Sequence, residues 1–301
     1  MKSFDLVVIG SGASGLLAAV TALKEGIKNV LIIEKEENLG GNLNLFIHDG
    51  FGEFYLGESV TGPEFSSILI DQFISLGGQY LVNTKVMDLN REKLITYINP
   101  EEGITDIQAD AIVIATGCKE KYTGNIMIPV DKYTGIFTTA SAHRMVNFQG
   151  YLPGSKVVVL SNGIWSVTLA RRLLIEGAEV TVVTEKSALN EDEAEIIKDF
   201  EIPVIYNSTI VEIEGNERIE CAIISKSIGE DESIECNALV LPIGYFPEVD
   251  LLRKINAVPR KVIEEVSGIF SCGTILSGIS GIFTSGEDGY SAGKLAALYL
   301  K

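Results

Sequence analysis

The feature of this sequence that most constrains its fold is a βαβ pattern that occurs twice. Residues 4–35 and residues 156–186 each read as an apolar strand, a tight turn, an amphipathic helix, a glycine-containing turn and a second apolar strand that ends in Glu-Lys. The same number of residues separates the first turn from the closing glutamate in both copies. Two copies so far apart predict two α/β nucleotide-binding domains rather than a stacked repeat.

The first copy carries a complete G-x-G-x-x-G turn, which is typical of dinucleotide binding when a strand precedes it and a helix follows. Gly10 permits the sharp turn, Gly12 lets the backbone approach a pyrophosphate, and Gly15 lets the helix pack closely on the strand. The N-terminus of the helix directs free N–H groups at the phosphates. Glu34 can accept hydrogen bonds from ribose hydroxyls. The predicted dinucleotide site therefore contains Gly10, Ser11, Gly12, Ala13, Ser14, Gly15 and Glu34.

The second copy keeps only part of this turn. Gly163 survives, but Ser161 lacks the positive-φ freedom of a glycine, and Trp165 puts a large ring in the first turn of the helix. Glu185 closes the second strand, where an acidic residue favours NAD over NADP. Two interpretations stay open: a domain that kept its fold and lost its ligand, or one that binds an adenine nucleotide. In the second case the site residues are Gly163, Ile164 and Glu185.

The charge balance excludes one class of partner. The 301 residues contain 24 Lys and Arg against 41 Asp and Glu, a net charge of −17, whereas nucleic-acid binders need basic patches.

No apolar run approaches the roughly 20 residues that span a bilayer, and the N-terminus does not read as a signal peptide. The four cysteines include no CxxC pair, so we expect a cytoplasmic protein with reduced thiols. With two histidines, no metal site is predicted.

Other stretches predict local elements. Residues 109–117 read as a buried strand that ends in small residues, residues 212–220 as a half-exposed hairpin, and residues 287–299 as a final helix. Asn190 followed three residues later by Glu193 is typical of a helix start with a capping box.

The order of the motifs resembles the two-dinucleotide-domain flavoproteins of the pyridine nucleotide-disulfide oxidoreductase type. The shared features are GSGASG at 10–15, Glu34, GGN at 40–42, ATG at 115–117, the second βαβ unit and a C-terminal glycine turn. The resemblance implies an α/β fold with two Rossmann-like domains, the second inserted into the first, which is the compact plan of thioredoxin reductase. Residues 1–119 and 243–301 then form a discontinuous FAD-binding domain, and residues 120–242 form an inserted NAD-type domain.

The chain more closely resembles the FAD-dependent oxidoreductases associated with anaerobic glycerol-3-phosphate dehydrogenase. It is also similar to the α subunits of opine oxidase, hydrogen cyanide synthase and dye-linked proline dehydrogenase. The matching stretches are 40–65, 115–129, 133–160, 169–185, 242–248 and 267–274. The resemblance implies a flavoprotein subunit, homo- or hetero-oligomeric, that passes electrons to NAD or another carrier. The electron donor is then a partner dehydrogenase, an iron–sulfur subunit or a small-molecule redox substrate. A non-catalytic nucleotide-binding adaptor is the alternative, and thioredoxin reductase activity is disfavoured because dithiol exchange needs a resolving thiol.

The resemblance also implies further FAD-binding positions and shows departures at some of them. The implied positions are Lys35, Gly41, Asn42, Val86, Ala115, Thr116, Gly117, Gly273, Thr274 and Ile282. Leu45-Phe46 replaces a Gln-Cys pair of the family, and Thr274 replaces the Asp or Asn that hydrogen-bonds the FAD ribityl chain. A threonine hydroxyl can still make such a bond. Residues 277–283 replace a His-rich stretch of the family. The altered glycine turn of the second βαβ copy predicts that the isolated chain oxidises little NADH.

No catalytic residue is assigned firmly from the sequence. His48 is the one weak candidate, because it follows Gly41-Asn42 in a segment that the resemblance places near the flavin. A structural histidine is the favoured interpretation. Cys118 and Cys272 adjoin turns expected near the flavin, and buried free cysteines are the favoured interpretation for both.

Overall fold

The chain forms two compact units along the described residues 1–121, 128–227, 229–278 and 285–301 of a computed structural model. Unit 1 consists of Met1–Lys119 and Tyr245–Lys301, and unit 2 of Glu120–Gly244. Each unit is built on a mostly or fully parallel sheet flanked by helices. The predicted α/β class with two Rossmann-like domains is therefore confirmed. The assignment of FAD to one unit and a pyridine nucleotide to the other stays a prediction.

The elements alternate as two βαβ units require. The strands are Lys2–Ile9 (β1), Val30–Ile33 (β2), Gln79–Leu81 (β3), Lys85–Leu89 (β4), Leu94–Asn99 (β5), Gly103–Ile114 (β6), Cys118–Glu120 (β7), Ile136–Thr138 (β8), Lys156–Ser161 (β9), Glu179–Thr184 (β10), Val204–Ile205 (β11), Ser208–Gly215 (β12), Ile219–Lys226 (β13), Glu232–Glu235 (β14), Ala238–Leu241 (β15), Tyr245–Pro247 (β16) and Ile269–Ser271 (β17). The helices are Ala13–Lys24 (α1), Glu53–Leu56 (α2), Gly62–Ser75 (α3), Thr139–Gln149 (α4), Ile164–Ile175 (α5), Glu191–Asp199 (α6), Asp250–Lys254 (α7), Val262–Glu265 (α8), Thr274–Ser277 (α9) and Ser285–Leu300 (α10), with a 3₁₀ turn over Gly41–Leu45.

The sheet of unit 1 has the order β3-β2-β1-β6-β5-β4, and β17 also pairs with β6. Strand β6 is long enough to hold two neighbours on one edge. Antiparallel β5 pairs with its first half, where Leu94 lies opposite Gln108, and parallel β17 pairs with its end, where Ile269 lies opposite Ile112. Strands β1, β2, β3, β6 and β17 run parallel. Their carboxyl ends lie along one sheet edge, where α/β proteins bind ligands.

Helices α1 and α10 approach each other closely because α10 presents glycines to α1. A Cβ atom on Gly289 would lie 2.3 Å from the carbonyl oxygen of Ser14, and one on Gly293 would lie 2.4 Å from that of Ala18. Backbone meets backbone at these positions, which a residue without a side chain allows. This contact contributes to the burial of α1, which extends from Ser14 to Leu23. It fixes the helix whose N-terminus follows the G-x-G-x-x-G turn.

Unit 2 contains a parallel sheet of order β11-β10-β9-β15-β8 and an antiparallel sheet of order β12-β13-β14. The hairpin predicted over residues 212–220 is confirmed by the pairing of β12 with β13. The predicted capping box of α6 is also confirmed, because the Asn190 side chain accepts from the Glu193 N–H at 2.8 Å and the Glu193 carboxylate accepts from the Asn190 N–H. Within the described ranges, no helix is long and apolar enough to cross a membrane.

Candidate functional site

The G-x-G-x-x-G turn lies at the carboxyl end of β1, and two of its glycines are required by close backbone contacts. Gly10 has φ +101°, and a Cβ atom there would lie 2.4 Å from the carbonyl oxygen of Ala115. A Cβ atom on Gly15 would lie 2.0 Å from the carbonyl oxygen of Gly10. The Ala115 N–H donates to the Ile9 carbonyl at 2.8 Å, so the ends of β1 and β6 are held together. These two glycines therefore serve the fold of the turn itself.

Gly12 differs from the other two glycines because its outer face is open. It has φ −64° and immediately precedes α1. A Cβ atom there would meet no heavy atom of the described residues within 4 Å, its chain neighbours apart. Gly41, with φ +53°, passes over the same turn, and its Cβ position lies 3.1 Å from the Cα of Gly12. The turn thus offers bare backbone at the positive end of a 12-residue helix, where a phosphate group is stabilised.

The Glu34 carboxylate is held at the end of β2 by the same turn. It is buried at 4% exposure. Its Oε2 accepts from the backbone N–H of Ser11 at 2.9 Å and from the Ser11 hydroxyl at 2.6 Å, and its Oε1 accepts from the Glu36 N–H at 3.0 Å. An ionised carboxylate has about four acceptor positions, so it can accept a further hydrogen bond. This orientation suits a ribose hydroxyl beside the phosphate-binding turn.

The ends of β6 and β17 complete the edge. The Thr116 hydroxyl donates to the Glu248 carbonyl at 2.7 Å, and the Glu248 N–H donates to the Gly117 carbonyl at 2.8 Å. A Cβ atom on Gly117 would lie 3.4 Å from the Oγ1 of Thr274. The structure therefore places the predicted residues Ala115, Thr116, Gly117, Gly273 and Thr274 on adjacent strand ends, next to the first turn. Glu248 was missed by the sequence analysis, because its backbone groups, which any residue type carries, make these contacts.

A second carboxylate lies at the β17 turn. Asp288, in the first turn of α10, accepts a hydrogen bond from the Gly273 N–H. Burial raises the pKa of Asp288, and the neighbouring Glu287 raises it further. The sequence predicts acids at the start of this helix but contains no signal that pairs one of them with Gly273, since α10 follows that glycine by more than ten residues.

The remaining predicted positions have varied surroundings. Lys35 is exposed and Asn42 is partly exposed in the 3₁₀ turn. Val86 packs against the hydrophobic core of unit 1. His48 is buried, lies edge-on to Phe46, and has its Nδ1 atom 2.7 Å from the Asp49 carbonyl oxygen. This packing agrees with a structural histidine, and its weak catalytic candidacy stays a prediction. Ile282 lies outside the described residues.

The thiols of unit 1 are poorly suited to exchange chemistry. Burial raises the pKa of both Cys272 and the partly exposed Cys118. The Sγ of Cys118 donates to the Thr274 carbonyl at 3.0 Å. A raised pKa lowers the fraction of reactive thiolate at neutral pH.

We expect iodoacetamide to alkylate Cys118 several-fold more slowly than a small-molecule thiol at about pH 8, and the rate to keep rising above the usual cysteine pKa. Peptide mass spectrometry after timed quenching measures this rate. Alkylation of Cys118 as fast as that of free cysteine would show that burial does not suppress its ionisation.

The equivalent turn of unit 2 departs from that of unit 1. Ser161 occupies the first glycine position and is buried, and its hydroxyl lies 3.4 Å from the Gly163 carbonyl oxygen. Ile164 and Trp165 form the first turn of α5. Glu185, the counterpart of Glu34, is exposed. Glu34 is therefore buried and held by Ser11 in unit 1, whereas its counterpart Glu185 in unit 2 is exposed.

The comparison with protein-family models decides the family. The model for the pyridine nucleotide-disulphide oxidoreductases matches residues 4–275, which is most of the chain. The chain belongs to this family. It is therefore a flavin-dependent oxidoreductase of a family whose members bind FAD and use NAD(P)H. The open face of Gly12 and the anchored Glu34 fit the FAD that the family carries.

Thioredoxin reductases are among the relatives of this oxidoreductase. The enzyme of Borreliella burgdorferi is 23% identical and covers 99% of this chain and 92% of its own. The crystal structure of T. acidophilum thioredoxin reductase has a TM-score of 0.75, with 22% identity over 100% of this chain and 98% of that one. The predicted thioredoxin-reductase-like plan is thus confirmed as a fold.

Two larger oxidoreductase chains also match this family member over part of their own length. The α subunit of sarcosine oxidase from a Corynebacterium is 25% identical over 82% of this chain, which corresponds to 27% of that subunit. L-Proline dehydrogenase from P. horikoshii has a TM-score of 0.70 and 18% identity, over 97% of this chain and 54% of that one. In both cases this chain spans only part of the larger protein.

Proposed function

We propose that unit 1 binds FAD at the Gly10–Gly15 turn and that the chain is the flavoprotein subunit of a larger oxidoreductase. In this proposal it exchanges electrons with a partner dehydrogenase or iron–sulfur subunit. The observation that carries the FAD site is the open backbone at Gly12 beside the anchored carboxylate of Glu34. FAD, when bound, supplies the electron-transfer chemistry, and the protein supplies binding and orientation.

Each part of the edge has a separate role in this proposal. The N–H groups that begin α1 face the pyrophosphate, and Gly12 allows it to approach. Glu34 accepts from the ribose. Thr274, whose Oγ1 lies beside Gly117, offers a hydroxyl to the ribityl end of the cofactor. This proposal is supported by the positions of the start of α1, Gly12, Glu34 and Thr274, which all lie at adjacent strand ends of one sheet.

The partner is inferred from what the chain lacks and from what it resembles. It has no CxxC pair, so a dithiol relay of the kind used by disulfide reductases has no local motif here. The resemblance to the flavoproteins associated with glycerol-3-phosphate dehydrogenase, and the match to a sarcosine oxidase subunit, favour a protein partner as electron donor or acceptor. The four unpaired cysteines support a reducing, cytoplasmic location.

We expect the chain, tagged and isolated at its natural level from the source organism, to carry FAD and to retain a second oxidoreductase subunit in stoichiometric amount. Quantitative mass spectrometry measures the subunit ratio, and the visible spectrum measures the flavin. A flavin-loaded chain that is isolated as a homo-oligomer alone would contradict the subunit role while leaving the FAD site intact. A chain without flavin would contradict the FAD site itself.

A further inference from the structure

The two copies of the βαβ pattern differ at the glycine that faces the phosphate position. In unit 1 a Cβ atom on Gly12 would point into space free of described atoms within 4 Å. In unit 2 a Cβ atom on the equivalent Gly163 would lie 3.8 Å from the Oε1 atom of Glu193. A carboxylate oxygen therefore lies in contact with the glycine of the second turn, whereas no described atom lies against the Cβ position of the first.

Glu193 is fixed at this place by hydrogen bonds to Lys186 and Asn190 within unit 2. Its Oε1 and Oε2 accept from the Lys186 ammonium at 3.0 and 3.1 Å. Its backbone N–H donates to the Asn190 side chain in the capping box of α6. The Glu193 side chain is 1% exposed, whereas that of Lys186 is 39% exposed. Lys186 thus covers the carboxylate from the solvent side and compensates its charge.

The charge at this position decides which ligands can enter. The pyrophosphate of a dinucleotide is negatively charged and would meet a carboxylate of the same sign in a buried place. Two of the three N–H donors of the Lys186 ammonium are already directed at the Glu193 oxygens, so at most one remains for a phosphate. The positive end of α5 meanwhile faces an anion that belongs to the protein.

We propose that the carboxylate of Glu193 fills the phosphate position at the glycine turn of unit 2 and so keeps pyridine nucleotides out of this site. Glu193 is then a specificity-determining residue of unit 2. The inference goes beyond the proposed function, since it concerns a ligand of unit 2 and holds whether or not unit 1 carries FAD. It also assigns to Glu193 more than the helix-capping role that the sequence predicts.

The test is NADH binding to the full-length chain and to its Glu193→Gln variant. Glutamine at this position preserves the capping box and the side-chain shape but removes the charge. Trp165, the single tryptophan of the chain, lies in the first turn of α5, so its fluorescence reports a ligand at this turn. NADH absorbs at the wavelengths at which tryptophan emits, so NADH bound at this turn quenches the Trp165 fluorescence. Calorimetry gives a second measure of binding, which does not depend on the flavin.

We expect NADH to bind the Glu193→Gln variant at least tenfold more tightly than the wild type, because Lys186 and the N-terminus of α5 then attract the phosphates. Glu191→Gln is the matched control, since it removes an exposed charge from the same turn of α6. Its affinity should equal that of the wild type. Glu193→Asp keeps the charge but shortens the side chain, so it should bind NADH with intermediate affinity. It replaces Glu193→Gln in the comparison with the wild type if the glutamine variant does not fold.

Three results would overturn the proposal. The first is saturable NADH binding by the wild type with the same affinity as by Glu193→Gln. The second is no detectable binding by the wild type or by either folded Glu193 variant, which would mean that another residue closes the site. The third is equal tightening in Glu191→Gln, which would reduce the effect to net charge.

Discussion

Replacing Gly12 with alanine lowers the affinity for FAD about 10- to 100-fold while the chain stays folded, if unit 1 binds FAD as proposed. In the free protein the added methyl group meets no described atom within 4 Å, and φ is −64°, which alanine adopts without strain. In the complex the same methyl group takes the place of the pyrophosphate. Overpacking of this kind costs about 1–3 kcal/mol, and each 1.4 kcal/mol is tenfold in affinity.

Gly10→Ala is the matched control for this variant. Gly10 has φ +101°, and the new Cβ would lie 2.4 Å from a backbone oxygen. This variant should therefore lose about 3 kcal/mol of folding free energy and bind FAD poorly for that reason. FAD titration and thermal unfolding of both proteins separate the two effects. Unchanged FAD affinity in a folded Gly12→Ala protein would show that no phosphate group lies against this glycine.

Gly289→Ala is expected to destabilise unit 1 strongly, although alanine is the better helix former. Its Cβ would lie 2.3 Å from the carbonyl oxygen of Ser14 and 2.5 Å from the Ser14 Cα. Backbone atoms of a buried helix cannot move aside, so α10 must shift away from α1. The expected loss is about 2 kcal/mol after the gain in helix propensity of about 1 kcal/mol is included. Denaturant unfolding with and without FAD measures it.

Gly286→Ala, on the same helix, is the control for the destabilisation by Gly289→Ala. Its Cβ would meet the Cδ1 of Leu17 at 3.1 Å, which is the end of a flexible side chain. We expect a change within about 0.5 kcal/mol. If both variants unfold at the same denaturant concentration as the wild type, then the close contact of α1 with α10 does not stabilise the unit.

The sequence predicted the fold well because the repeated unit combines several local signals. The G-x-G-x-x-G turn, the apolar strands around it and the capping box at Asn190 each depend on residues near in sequence, and the structure has elements at all of them. The strand predicted at residues 109–117 ends at Ile114, before the small residues of the turn, and begins earlier, at Gly103. The first half of β6, residues 103–108, lies outside the predicted strand and pairs with β5.

The structure adds contacts that local patterns do not encode. Asp288 reaches the Gly273 N–H from another helix, and Glu248 holds Thr116 and Gly117 through its backbone. Glu193 was found as a capping residue, but its position opposite Gly163 depends on how α6 packs beside α5. Each of these pairings is long-range in the chain, so residue spacing alone could not predict them.

The central claim is that unit 1 of this family member binds FAD at the Gly10–Gly15 turn, and its most direct test is the visible absorption spectrum. The full-length chain, incubated with FAD and freed from excess by gel filtration, should show the bands of an oxidised flavin at one FAD per chain. Gly12→Ala, treated in the same way, should lose most of that absorbance. A colourless wild-type chain that takes up no FAD would contradict the claim.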